Sequence, residues 1–188
     1  MNRMKYYLLL LLAAFSLGAN AQTDFFGIQK MTVGGEEYSL VWSAKIKFRY
    51  VEDFLPKKAS NNTFTSKVSL DFYNADVELE KVVNFKMAEF EASKEENRLA
   101  NLQKSVASNG DVLIEYVTFA QNGDKMKVAE WNICRFVKNG EMGVVQLQTK
   151  HREYDIKMDK FMLQVEKKRA EWVNDIVSYK IPTLTVKE

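Results

Sequence analysis

The chain is poor in cysteine, histidine and proline, and these scarcities exclude several classes of protein. Its 188 residues include one cysteine, Cys134, and one histidine, His151, together with two prolines. A single cysteine cannot close an internal disulfide, so packing alone must stabilise the fold. One cysteine and one histidine also cannot supply the four ligands of a usual zinc site. The sequence therefore predicts neither a disulfide scaffold nor a metal site.

The sequence also lacks the short motifs that accompany common catalytic chemistry. It contains no G-x-S-x-G elbow, no phosphate-binding P-loop, no G-x-G-x-x-G after a strand and no H-E-x-x-H pair. We therefore expect a protein that is not an enzyme and that uses no cofactor. An enzyme that works with aspartate and glutamate alone is the open alternative.

The N-terminus has the three parts of a secretory signal peptide. Arg3 and Lys5 carry positive charge, a leucine-rich apolar run follows, and residues 19–21, Ala-Asn-Ala, form a small-x-small cleavage site. The apolar run is shorter than the roughly 20 residues that a membrane-spanning helix needs. We therefore predict a signal peptide over 1–21, a single globular domain over 22–188, and a secreted or periplasmic location.

Removal of the signal peptide leaves a mature chain with no net charge. The full chain has 27 basic and 25 acidic residues, and residues 1–21 contain two of the basic residues and none of the acidic ones. A neutral chain has no excess positive field to attract nucleic acid or an anionic membrane surface. We therefore expect a protein partner or a small ligand, no nucleic acid, and no stable membrane insertion after cleavage.

Alternating apolar and polar residues predict strands in the first part of the mature chain. Three strands are predicted there, over 26–33, 37–50 and 66–73. Gly34-Gly35 is a two-residue hairpin signal between the first two. From Ala75 the apolar residues recur every three or four positions, which predicts an amphipathic helix. The apolar residues of 99–106 either continue this helix or begin a second helical piece.

The second half predicts a meander followed by a helix. Its three strands are predicted over 112–121, 126–137 and 142–152. Asn122-Gly123 and Asn139-Gly140 are the preferred dipeptides of tight type I′ turns between them. A helix follows over 156–179, with Asp155 as N-cap. These elements predict an α+β fold: a mainly antiparallel sheet with two long amphipathic helices packed on it, as an α/β/α sandwich.

Two-residue turns at both Asn-Gly pairs would fix which residues lie opposite each other. Cys134 then lies opposite Val145, and His151 opposite Val128, with both side chains on one face of the sheet. The two are about six residues, or roughly 20 Å, apart along the sheet, whereas a thiolate and an imidazole must approach to about 3 Å. We therefore predict no catalytic pair. Because Cys134 lies in an apolar strand pattern, a buried thiol is favoured over a reactive one.

The same register places Glu115 opposite Glu130, with Thr149 beside Glu130 on the next strand. Two adjacent carboxylates repel each other unless they share a proton, bind a cation or reach water. The pair is therefore the candidate for a carboxylate-dependent hydrolase, although a register shift or an exposed end of the sheet would separate or solvate the two groups. We assign no catalytic, cofactor-binding or metal-binding residue from the sequence.

The order of elements resembles that of the PsbP-like fold group. VSLDFYNADVELEKVVNFKMAEF leads a strand into a helix, VLIEYVTFAQNGDKMKVAEWNICRFVKNGEMGVVQLQ has the pattern of a meander, and the terminal helix ends in WVNDIVSYKIP. The resemblance extends from Tyr38 to Pro182 and carries over no functional residue. It implies a sandwich that serves as a binding or assembly module.

The sequence thus predicts an exported, non-enzymatic binding or assembly domain of the cell envelope. The alternatives are an exported inhibitor or immunity-type protein and a carboxylate-dependent hydrolase. The candidate binding surface is one face of the meander, with these residues: Ile114, Tyr116, Trp131, Ile133 and Val144 beside Gln146 and Gln148. If a helix covers that face, the patch is core and not a binding surface.

Overall fold

The computed structural model describes residues 23–92, 99–122 and 125–187. The predicted signal peptide lies outside these residues. Within them the chain forms eight strands and two helices: β1 (Lys30–Val33), β2 (Glu36–Ile46), β3 (Arg49–Pro56), β4 (Ser66–Tyr73), α1 (Leu79–Ala92), β5 (Leu99–Val106), β6 (Val112–Asn122), β7 (Lys125–Lys138), β8 (Val144–Tyr154) and α2 (Met158–Ser178).

The strands join in one antiparallel sheet in the order β1-β2-β3-β4-β8-β7-β6-β5. Each half of the chain contributes a run of four neighbouring strands, and the pairing of β4 with β8 joins the two runs. α1 lies in the chain between β4 and β5, and α2 follows β8. The predicted α+β class and antiparallel sheet are confirmed, and the sheet dominates the fold.

Each face of the sheet packs against one helix, and we name the faces after α1 and α2. On the α1 face, Val82 and Val83 of the helix pack on a small core: Tyr73, Ile114, Tyr116, Cys134, Phe136 and Val144. On the α2 face, Phe161, Val165 and Ile176 of the helix pack on a larger core that includes Phe54, Leu70, Val117, Trp131, Ile133 and Leu147. Most of the apolar burial, and hence most of the hydrophobic stabilisation, lies on the α2 face.

The hairpin at Gly34-Gly35 is confirmed. Val33 pairs with Glu36, and the two glycines between them have φ angles of 57° and 78°. Type I′ turns need positive φ at both central positions, which glycine adopts at little cost.

The helical interpretation of residues 99–106 was wrong, because this segment is the edge strand β5. Its pairing with β6 is irregular between Ala100 and Gln103, and Asn101 has a φ of 53°. This irregularity breaks the alternation of side chains. The apolar residues are therefore spaced three and four apart, as in a helix, although the backbone is extended.

Two other local predictions also differ from the structure. The run predicted as one strand over 37–50 is divided into β2 and β3 at a turn where Lys47 has a φ of 58°. Asp155 does not cap α2, since Lys157 holds the N-cap position without a side-chain hydrogen bond. The Asp155 carboxylate instead pairs with Lys127 at 2.8 Å.

The predicted register of the meander was wrong by three residues. Cys134 lies opposite Gln148, and His151 opposite Trp131. The β7–β8 connection is a five-residue loop, 139–143, in which the Asn139 N–H donates to the Gly143 carbonyl at 3.0 Å. Successive side chains of a strand alternate between the two faces, so a shift by an odd number of residues exchanges the faces. The β7 side chains therefore lie on the opposite face from the predicted one, relative to β6 and β8.

The hairpin and a β-bulge together produce the same three-residue shift between β6 and β7. Asn122 pairs with Lys125, which moves the hairpin by two residues, and an irregularity between Ala120 and Gln121 adds the third. A shift of two alone would have kept every side chain on its predicted face. The bulge is therefore the feature that reverses the faces of β7 against β6.

Arg135 on β7 joins the sheet to the end of α2. Its Nη1 donates to the carbonyls of Ile176 and Tyr179 at 2.8 and 2.6 Å, and its Nε donates to Asp111 Oδ2 at 2.6 Å. The guanidinium is buried and satisfies carbonyls that the helix leaves without partners at its C-terminus.

We expect Arg135→Met to lower the free energy of unfolding by about 3 kcal/mol, because it leaves a carboxylate and two helix carbonyls without their donor. Chemical denaturation at neutral pH measures this loss. Lys127→Met is the control, since it removes a solvent-exposed ion pair worth less than about 1 kcal/mol. Equal losses in the two variants would contradict a structural role for Arg135.

Candidate functional site

Both ends of the described chain converge on the α2 face of the sheet. The Lys187 N–H donates to the Phe25 carbonyl at 2.8 Å, which joins the two ends to each other. The Thr23 N–H donates to the Ser43 hydroxyl at 3.0 Å, which joins the N-terminal end to β2.

Asn139 fixes the C-terminal segment to the β7–β8 loop. Its Oδ1 accepts the Leu184 N–H at 2.7 Å, and its Nδ2 donates to the Leu184 carbonyl at 2.9 Å. The amide thus pairs with one residue as a neighbouring β-strand would, although residues 180–187 belong to no strand. Asn139 is itself buried, so these bonds are shielded from water.

A cleft of about 720 Å³ lies between the two ends and the sheet, and we name it the terminal cleft. Its lining residues are Thr23, Phe25, Lys45, Tyr50, Phe72, Asn74, Asn139, Glu141, Met142 and residues 183–187. The rings of Phe25 and Tyr50 meet edge to face, with centroids 5.2 Å apart. Its volume lies within the range of roughly 300–1,000 Å³ that small-molecule pockets span, and its walls include aromatic and aliphatic side chains.

Two lysines give the terminal cleft a positive rim. Lys45 Nζ lies 5.1 Å from the centroid of the Tyr50 ring, and Lys187 lies on the C-terminal wall. Neither lysine forms a salt bridge with a residue in the described part of the chain. Glu141 contributes the one acidic side chain among the described lining residues. The Lys187 ammonium lies close to Gly27 and also attracts the Asp24 and Glu52 carboxyls. The cleft therefore combines an apolar interior with two rim lysines, of which Lys187 is already shared with carboxyl groups of the protein.

Glu52 on β3 holds the N-terminal wall of the cleft. Its Oε1 accepts the Phe25 and Phe26 N–H groups at 2.6 and 3.3 Å, whereas its buried Oε2 has no hydrogen-bond partner. Burial raises the pKa of this carboxyl to about 7, and the two N–H donors oppose that rise.

Cys134 and His151 do not meet, as predicted, but the reason differs. They lie on opposite faces of the sheet, because Cys134 pairs with Gln148 and His151 with Trp131. Burial raises the pKa of the Cys134 thiol to about 12, so the thiol is protonated at neutral pH. The favoured interpretation of Cys134 as a buried thiol is confirmed.

The candidate carboxylate pair for a hydrolase, Glu115 and Glu130, does not form, because the alternative of a register shift is what occurs. Glu115 lies opposite Ile133 on the α2 face, and Glu130 lies opposite Thr118 on the α1 face. Each carboxylate is instead bound by an arginine. Arg169 donates to both oxygens of Glu115 at 2.8 and 2.6 Å, and Arg152 Nε donates to Glu130 at 2.8 Å.

The predicted apolar patch is divided between the two faces and is core. Ile114, Tyr116 and Val144 lie under α1, whereas Trp131 and Ile133 lie under α2, and all five are buried. Because the helices cover these residues, the patch is not a binding surface.

The terminal cleft was missed because its walls come from the two ends of the chain. One signal for it was present: Leu184 and Val186 alternate with Thr183, Thr185 and Lys187 after the last helix. Such alternation indicates an extended segment with one buried side. The sequence predicts only a turn role for Asn139, because Asn-Gly is the preferred dipeptide of a tight turn.

Within the described ranges, no three His, Cys, Asp or Glu side chains lie close enough together to hold a metal ion. In the same ranges no helix is both long and apolar enough to cross a membrane.

We expect the stability of the protein to fall as pH rises from about 5 to 7, because of Glu52. The folded carboxyl titrates near 7 and the ordinary carboxyl near 4.5, so the folded state binds more protons in this window. Glu52→Gln keeps an acceptor for the two N–H groups and cannot ionise. Above pH 7 this variant is expected to be more stable than the wild type by on the order of 1–3 kcal/mol.

Urea denaturation at several pH values measures the difference. Glu37→Gln, which changes an exposed carboxylate on β2, is the matched control and should follow the wild type. Parallel curves for wild type and Glu52→Gln between pH 5 and 8 would show that Glu52 does not titrate in this window.

Comparison with known proteins places the chain in a family but gives it no activity. No curated protein matches the chain. A family model matches residues 28–181, which include every strand and helix of the described ranges. The match leaves out Thr23, Phe25 and residues 183–187, which line the terminal cleft. The chain belongs to this family.

Proposed function

We propose that the protein is an exported, non-enzymatic binding domain whose ligand is an amphipathic anion held in the terminal cleft. The observation that carries this proposal is the combination of aromatic and aliphatic walls with two lysines at the rim, neither of which forms a salt bridge with a described residue. The ligand would place its apolar body against Phe25, Tyr50 and Phe72. Its carboxylate or sulfonate would lie between Lys45 and Lys187.

The apolar walls supply most of the binding energy in this proposal. Burying apolar surface contributes about 25 cal/mol per Å², and aromatic rings present large rigid surfaces with little entropy to lose. Met142 is 56% exposed beside the cleft, and its flexible side chain can adapt to the ligand. The lysines then supply selectivity, because an anion that enters the cleft exchanges water for charged donors.

The proposal that the protein is not an enzyme is supported by the state of its candidate reactive groups. The Cys134 thiol is buried and protonated, and the carboxylates of Glu115 and Glu130 are each bound to an arginine. Export rests on the predicted signal peptide. One helix on each face fits the α/β/α sandwich expected from the resemblance to PsbP-like proteins, and that assignment also remains a proposal.

The inhibitor or immunity-type alternative is favoured by a different observation. Ile46 and Phe48, at the tip of the β2–β3 hairpin, are 52% and 53% exposed. An exposed apolar tip of this kind can insert into a cleft of another protein. The test of the cleft therefore includes a variant of this tip.

Binding of 8-anilinonaphthalene-1-sulfonate, an aromatic sulfonate, tests the proposal by fluorescence titration with decanoate as competitor. We expect saturable binding that decanoate displaces and that decanol and decylammonium displace more weakly. The double variant Lys45→Gln, Lys187→Gln should bind about tenfold more weakly or worse, because charged hydrogen bonds contribute about 1.5–3 kcal/mol each.

The double variant Lys57→Gln, Lys58→Gln is the control for net charge, since both lysines are exposed and neither lines the cleft. Phe48→Ser should leave the affinity unchanged. If instead Phe48→Ser abolishes binding and the Lys45→Gln, Lys187→Gln variant does not change it, the probe binds the hairpin tip and the cleft proposal is wrong.

A further inference from the structure

A second, smaller pocket opens on the α2 face and shares no residue with the terminal cleft. It has a volume of about 150 Å³ and lies between the first hairpin, β8 and α2. Its lining residues are Val33, Gly34, Glu36, Tyr38, Ser66, Thr149, His151, Glu171, Trp172 and Asp175. We name it the Thr149 pocket.

The Thr149 hydroxyl is a buried polar group without a partner. Thr149 is 5% exposed, and its Oγ1 has no hydrogen-bond partner among the described residues. Its side chain lies on the α2 face, since it pairs with Ile133 of β7 and Val68 of β4. Buried hydroxyls nearly always have a partner, because leaving one unpaired costs free energy. An oxygen of this kind in a pocket wall can accept a hydrogen bond from a donor that enters the pocket.

The pocket also has negative charge that the protein does not neutralise. Glu36 Oε2 accepts the Tyr38 and Ser66 hydroxyls at 2.7 and 3.0 Å, which fixes the carboxylate in place without an ion pair. Asp175 forms no hydrogen bond or ion pair with any residue in the described ranges. None of the lining residues is lysine or arginine.

Gly34 lets the Asp175 carboxylate approach the hairpin. A Cβ built on Gly34 would clash with Asp175 Oδ2, so any larger residue would displace the carboxylate. Burial, and then the neighbouring Glu171, raise the pKa of Asp175, which means that its negative charge is not fully solvated. Glu171 is itself partly neutralised by the exposed Lys168 at 3.4 Å.

The remaining wall is aromatic and neutral. The His151 ring stacks on Trp172, with centroids 3.9 Å apart and planes 8° from parallel. Burial lowers the pKa of His151 to about 4, so the imidazole is uncharged at neutral pH. A neutral imidazole and an indole face are compatible with a cation and do not repel it.

We propose that the Thr149 pocket binds a primary alkylammonium group, with Thr149 Oγ1 and the carboxylates of Glu36 and Asp175 as hydrogen-bond acceptors. An ammonium group has three donors and no acceptor, which matches a pocket whose polar groups accept. A short alkyl chain suits the volume and lies along Val33 and Trp172. A metal ion fits less well, because no three of the described His, Cys, Asp or Glu side chains form a ligand set.

The alkylammonium group can belong to a small free amine or to a lysine side chain of another protein. NMR titration with n-butylammonium and with Nα-acetyl-lysine methylamide tests both sources, with the Trp172 indole and the His151 ring as reporters. Saturable binding of either probe, with n-butanol at least tenfold weaker, is expected. The tighter of the two probes identifies the source.

Three variants test which groups bind the ammonium. Asp175→Asn and Thr149→Val are each expected to weaken binding about tenfold or more, whereas Thr149→Ser should bind like the wild type. Glu80→Gln, an exposed change on α1 at the other face, controls for net charge. Thr149→Val should not lower the melting temperature of the free protein, because its hydroxyl has no partner to lose.

The proposal is overturned by any of three results: no saturable binding up to tens of millimolar, equal binding of n-butanol, or unchanged affinity in both Asp175→Asn and Thr149→Val. The terminal cleft provides an independent comparison. Thr149→Val should bind 8-anilinonaphthalene-1-sulfonate as the wild type does, so failure at one site is distinguishable from failure at the other.

Discussion

The terminal cleft depends on the paired hydrogen bonds between Asn139 and Leu184. Residues 180–187 belong to no helix or strand, so no ladder of backbone bonds holds them against the sheet. The Asn139 side chain supplies a donor and an acceptor to a single residue and does so from a buried position, where such bonds are strong. These bonds fix the backbone of the C-terminal wall, and burial of the Leu184 side chain in the core adds to them.

The N-terminal wall is held by an interaction that depends on pH. Glu52 binds two backbone N–H groups with one oxygen while its other oxygen is buried without a partner. The raised pKa of this carboxyl near 7 means that its charge is costly in the folded state. The two walls therefore differ: one is fixed by a neutral amide and the other responds to pH within the neutral range.

Most strands of this fold could be predicted from the sequence, because apolar and polar residues alternate along them even where both faces are buried, as on β4. The hairpin at Gly34-Gly35 could also be predicted, since its two glycines meet a local requirement of positive φ. The register of the meander could not. It is set by a bulge near Ala120 and by a five-residue loop after Lys138, and an Asn-Gly pair does not reveal either. An odd shift then exchanges the faces of a whole strand.

The unpredicted register also explains which of the candidate sites were predicted correctly from the sequence. Separation of Cys134 from His151 was predicted correctly because it held in either register. The Glu115–Glu130 pair depended on the register and was lost with it. Glu115 binds Arg169 of α2, and Glu130 binds Arg152 of β8. Neither pocket could be derived, since each combines segments that are distant in the sequence.

Native-state hydrogen exchange at the Leu184 amide tests the central claim most directly. If Asn139 holds the C-terminal segment against the sheet, the Leu184 N–H exchanges far more slowly than an unstructured amide, although it lies outside every helix and strand. Protection comparable to that of the sheet is the expected result. Exchange at the rate of a free peptide would show that the segment is not docked and that the terminal cleft lacks its C-terminal wall.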